Sequence, residues 1–166
     1  MIRVAIDSDN LGDLPAGVAP ILMTYADLIA SRAQLAELED HHRGSEIVLM
    51  DRGLGDPLGL SSEADVETGA LSPGHLPGWF DKRTAAHVDY LTVYCNQSTL
   101  PRVEAVLAGT PYRDHWRHIA RLDGIWDVPG FQPLHRPALV QVVSSAMLGI
   151  HADASIVLNP GWHPTG

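Results

Sequence analysis

Short apolar runs alternate with helical stretches along most of the chain, and this alternation limits the possible folds more than any other feature. Residues 2–6, 20–25, 47–50 and 90–95 are apolar runs of strand length, each bounded by turn-forming residues. Between them, residues 32–42, 78–88 and 100–108 read as helices, with Gly44 and Gly109 as stops and Ser98 or Thr99 as a cap for the last. Ile47 to Met50 is apolar on both faces, as expected of a parallel strand covered on both sides. Strands joined through helices imply a parallel sheet.

The rhythm then changes. Residues 115–122, 138–144 and 154–158 read as three more strands, but the connections between them carry Gly124, Pro129, Gly130, Pro133, Pro137 and Gly149 and no helical pattern. With the polar segment 61–68 counted as the fourth strand, there are eight. The expected fold is α/β, a TIM-barrel-like (β/α) barrel of about eight strands with helices missing after the last strands. One such domain accounts for the whole chain, residues 1–166, and the 45% apolar content is sufficient for its core.

The fourth strand carries the most suggestive chemistry. It reads Ser-Ser-Glu-Ala-Asp-Val-Glu-Thr, with Ala64 and Val66 on one face and Glu63, Asp65 and Glu67 on the other. Asp65 and Glu67 therefore look the same way, with Cα atoms roughly 6.5 Å apart. Paired carboxyls suit glycosidic-bond hydrolysis, in which one holds a proton for the leaving oxygen and the other stays ionised. Their mutual repulsion separates the two proton affinities. The same pattern also describes two solvated carboxylates at a strand end.

Composition removes several function classes. A net charge of −9 is unsuited to a nucleic-acid backbone. A single cysteine, Cys95, leaves neither an internal disulfide nor a cysteine-based zinc site. His115 and His118 would face opposite ways on a strand, and His41 and His42 suit a helix C-terminus, so no metal or other cofactor is expected. Ser98 lacks the surroundings of a nucleophile elbow, and no glycine-rich phosphate loop is present. No run of residues is long and apolar enough for a membrane span or an export signal. Synthesis in a host cytoplasm is expected, with any outside role reached by lysis or within an assembled particle.

Ile6-Asp7-Ser8, Asp65-Val66-Glu67, the segment from Thr92 to Thr99, Gln141, and Asp153 before Ser155-Ile156-Val157 together resemble the glycoside hydrolase family 25 lysozymes. They resemble still more closely the family 25-like domains of actinobacteria and their phages. The likeness covers almost the whole chain in order, and Tyr94-Cys95-Asn96-Gln97-Ser98-Thr99 is its most specific part. It implies that Glu67 is the general acid, with Asp65 as its partner and Asp7 and Asp153 completing a ring of four acids. It also places Tyr94, Asn96 and Gln141 among the groups that hold substrate; Trp116 and Trp126, near the ends of late strands, are the best candidates for stacking on a sugar.

Two expectations follow. One is a muramidase-like enzyme cleaving β-1,4 linkages of cell-wall peptidoglycan. The other keeps the barrel without the chemistry, as a phage tail or capsid-associated interaction module contacting other virion proteins.

Overall fold

The computed structural model describes residues 3–120, 137–143, 152–159 and 162. In chain order the main elements are β1 (Arg3–Asp7), β2 (Ile21–Tyr25), α1 (Arg32–His41), β3 (Glu46–Asp51), β4 (Glu63–Val66), α2 (Leu76–Ala85), β5 (Thr92–Asn96), α3 (Leu100–Leu107), β6 (Trp116–Ala120), β7 (Pro137–Val143) and β8 (Asp153–Val157). The eight strands close into one barrel in sequence order. Neighbours from β1 to β7 are parallel, whereas β8 runs antiparallel to both β7 and β1. The sheet is thus mixed, which corrects the all-parallel expectation. Only residues 144–152 separate β7 from β8, fewer than the dozen or so that a parallel crossover requires. The bare connections expected after β6 and β7 fall outside the described residues.

Two apolar clusters hold the barrel. Inside it, Ala5, Ile21, Met23, Val48, Met50, Tyr94 and Leu139 pack with Trp162. Outside, Ala64, Val66, Val93, Cys95 and Ile119 pack against Leu76, Trp79 and Phe80 of α2 and Val103 and Leu107 of α3. The alternation in β4 does this sorting: its small apolar residues meet the helices, and its acids face inward.

Helix α2 starts earlier than residue 78 because Pro77 lies in its first turn, where a missing N–H costs nothing. Strand β5 starts later than residue 90 because Tyr90 has φ 55°, a left-handed conformation no strand accommodates. At the start of α1, the Ser31 hydroxyl accepts a hydrogen bond from the Gln34 N–H at 3.2 Å. Ser31→Ala is expected to cost about 1 kcal/mol, measurable as a lower denaturation midpoint with an unchanged m-value. An unchanged midpoint would show that the cap contributes nothing.

Candidate functional site

Asp7 ends β1 and pairs directly with Asp153, which begins the antiparallel β8. Reversal of the last strand therefore puts a carboxyl from each end of the chain at one mouth of the barrel. Asp65 faces the same interior from β4 and is 2% exposed, with Oδ1 lacking any hydrogen-bond partner among the described residues. Glu67 lies one residue past β4 and is exposed.

Their electrostatics show that the four acids feel one another. The Asp7 carboxyl is pushed up to about 7, first by burial and then by the negative charges of Asp153, Glu63 and Glu67, with His118 pulling the other way. Asp65 is pushed up to about 8 by burial, then by Glu67, Glu63 and Asp7, opposed by Arg52. Burial and then Asp153 also raise Glu67. At neutral pH the mouth thus contains carboxyls that retain protons, as a site for proton donation requires.

Around them, the Tyr94 hydroxyl donates to Gln141 Oε1 at 2.5 Å, and Gln141 Nε2 donates to Asp153 Oδ2 at 2.6 Å. Burial raises the proton affinity of both Tyr25 and Tyr94, so their hydroxyls remain neutral. Arg52 lies 4.2 Å from the centre of the Tyr25 ring and grips Asp27 through two hydrogen bonds of 3.0 and 2.7 Å. A groove of about 290 Å³ opens here, lined by Asp7, Ser8, Asp9, Tyr25, Arg52 and Asp153.

Asp7, Asp65, Glu67, Asp153, Tyr94 and Gln141 are thus brought together. Asn96 reaches the same end of β5, but its side-chain oxygen is occupied in a turn, accepting from the Ser98 hydroxyl at 2.7 Å and the Thr99 N–H at 2.9 Å. Trp116 is not brought to the acids. It opens β6 opposite Thr92, at the far end of the parallel strands from Asn96, and packs partly buried against the interior cluster. A parallel strand of this barrel carries a residue to the mouth only at its C-terminal end, so the aromatic candidate on β6 is corrected on direction. Trp126 lies outside the described residues.

Three interior residues escaped the sequence reading. Glu63 Oε1 accepts from His118 Nδ1 at 2.9 Å, and His118 Nε2 is 2.7 Å from Ser155 Oγ. The alternation in β4 already put Glu63 on the acidic face; its partner, 55 residues away, left no local signal. The order acid, imidazole, hydroxyl matches an acyl-transfer relay, but Ser155 is buried, whereas a nucleophile must be open to its substrate. Among the described residues no group of His, Cys, Asp or Glu side chains is arranged to hold a metal ion. A separate cleft of about 740 Å³ lies elsewhere, between the loop after β3 and α2, with Gly53, Gly55, Trp79, Lys82 and Arg83 among its walls.

Fold and site together define a closed mixed barrel with a carboxyl-lined mouth. No family model matches the chain, nor does any curated protein or solved structure.

Proposed function

We propose that the mouth is the active site of a glycoside hydrolase resembling the family 25 lysozymes, on a TIM-like (β/α) barrel, and that it cleaves β-1,4 linkages of cell-wall peptidoglycan. The observation that carries this reading is the mutual electrostatic influence of Asp7, Asp65, Glu67 and Asp153, contributed by the first, fourth and last strands and their edges. The parallel run from β1 to β7, with α2 and α3 packed outside, supports the barrel type.

Glu67 is the exposed member with raised proton affinity, and we assign it the proton donated to the leaving oxygen. Asp65, buried beside it, keeps its own proton at neutral pH, while burial and the charge of Asp153 keep the proton affinity of Glu67 raised. Asp7 and Asp153 face the developing positive charge of the sugar ring. Tyr94, through Gln141, orients Asp153. The neutral phenol of Tyr25 offers the groove a polar, partly apolar wall.

The test is clearance or glycan release from actinobacterial walls by the wild type and by Glu67→Gln. The variant is expected to lose at least ~100-fold in rate, the usual worth of a positioned general acid. The competing reading, a barrel used as an interaction module in a phage particle, draws on the near-complete burial of Asp65. Absence of release by both proteins would favour it. Among the described residues no helix is long and apolar enough to cross a membrane.

A further inference from the structure

Beneath the mouth the barrel interior is polar in an ordered way. Along β4, Glu63 lies one two-residue step below Asp65 on the same face. Along the antiparallel β8, Ser155 lies one such step below Asp153. His118 of β6 spans between the two strands, joined to Glu63 Oε1 at 2.9 Å and to Ser155 Oγ at 2.7 Å. The lower layer is therefore Glu63, His118 and Ser155, and the upper layer holds Asp65, Asp7 and Asp153.

Both Glu63 and His118 are 0% exposed, and Glu63 Oε2 has no hydrogen-bond partner among the described residues. Burying a carboxylate and an imidazole costs free energy that apolar residues of similar volume would avoid. Stability therefore does not explain the pair. Its position does: the His118 ring meets Tyr94 edge-on, with centroids 4.9 Å apart, and Tyr94 leads through Gln141 to Asp153.

We propose that Glu63 and His118 are positioning residues for the acid mouth, a buried carboxylate–imidazole pair anchored on Ser155 that sets from below the charge state of Asp7 and Asp65. The assignment rests on reading the mouth as a hydrolase site, although its electrostatic content can be measured without turnover. Charged or titratable groups face the mouth from each neighbouring element: Asp7 on β1, Tyr25 on β2 with Arg52 after β3, Asp65 and Glu67 at β4, Tyr94 on β5 and Asp153 on β8. Against that background the pair acts with opposite signs. The charge of Glu63 raises both Asp7 and Asp65, whereas His118 lowers Asp7.

Carboxyl-carbon NMR titrations of wild type, Glu63→Gln and His118→Gln test this. In Glu63→Gln, the Asp7 and Asp65 midpoints are expected to fall by roughly one pH unit, the scale of one nearby charge. In His118→Gln, the Asp7 midpoint is expected to rise. A purely structural role would not move Asp7 in opposite directions. Folded variants with unchanged midpoints, or with Asp7 shifted the same way in both, overturn the assignment.

If either variant fails to fold, the wild type decides. The carboxyl shift of Asp7 should show a second inflection at the pH where the His118 ring nitrogens titrate, and independent single-step curves overturn the assignment. Wall clearance by the wild type with independent titrations would sink the assignment alone. Coupled titrations without clearance would support the coupling and sink the hydrolase reading.

Discussion

Arg83→Met is expected to destabilise the protein by about 3–5 kcal/mol, the cost of stripping a buried ion pair of one partner. Arg83 projects from α2 into the loop after β3, where Nη1 meets Asp56 Oδ2 at 2.7 Å and Nη2 meets Asp51 Oδ2 at 3.1 Å. Asp51 also accepts from the Trp79 indole N–H at 3.1 Å and the Gly53 N–H at 2.8 Å. Burial pushes the Asp56 carboxyl up, but hydrogen bonds from Ser61 and the charge of Arg83 outweigh it and hold it below the usual carboxylate range. Methionine preserves much of the volume yet leaves two buried carboxylates without their shared cation. Urea denaturation would measure the loss, and a value under about 1 kcal/mol would show that water reaches both carboxylates. Adding Asp51→Asn and Asp56→Asn to Arg83→Met should restore part of the stability, because the penalty lies in unpaired charge. The consequence extends to the mouth. The same loop begins at Arg52, which lies over Tyr25 and grips Asp27, so loosening it also loosens one wall of the groove.

That lattice shows what a sequence reading misses. Asp51 ends β3, Asp56 lies in the glycine-rich loop that follows and Arg83 lies on a helix, positions where charges normally read as solvated, and only the docking of α2 buries them together. Strand positions were easier to read, because Ile47 to Met50 and the alternation in β4 are direct imprints of two covered faces and one lined interior. Strand direction leaves no such imprint: the period of side chains is the same up or down, so the reversal of β8 was hidden, and with it the direct pairing of Asp153 with Asp7. Trp116 was misplaced for a related reason, since the expected strand began at residue 115 and which end of it faced the mouth depended on topology. The acids themselves were legible as residues at or beside strand ends. Their shared proton economy was not, because it arises from burial and from Glu63 and His118 beneath them.

Asp65→Asn is expected to stabilise the protein at alkaline pH while impairing the wall hydrolysis proposed above. The folded Asp65 carboxyl titrates near 8, against 3.8 for the unconstrained group, chiefly because burial penalises its charge. A folded value above the unfolded one means that the native state binds the proton more tightly. Stability therefore falls as pH rises from about 3.8 and is fully diminished only above about 8. At ~1.4 kcal/mol per unit the cost approaches the order of 5 kcal/mol. Asp7, raised to about 7, loses stability over the lower part of the same window. The two losses do not add, since each carboxylate raises the other and the groups titrate as a coupled set. Asparagine cannot ionise, so melting temperatures across pH 5 to 9 should fall for the wild type and much less for Asp65→Asn, with the gap widest at pH 9. Parallel curves would mean that Asp65 ionises without penalty and that the mouth is wetter than its 2% exposure indicates. A more stable variant with weaker wall hydrolysis is the outcome a catalytic site requires, because a chain that keeps a costly carboxylic acid in its interior gives up stability that a neutral amide would have retained.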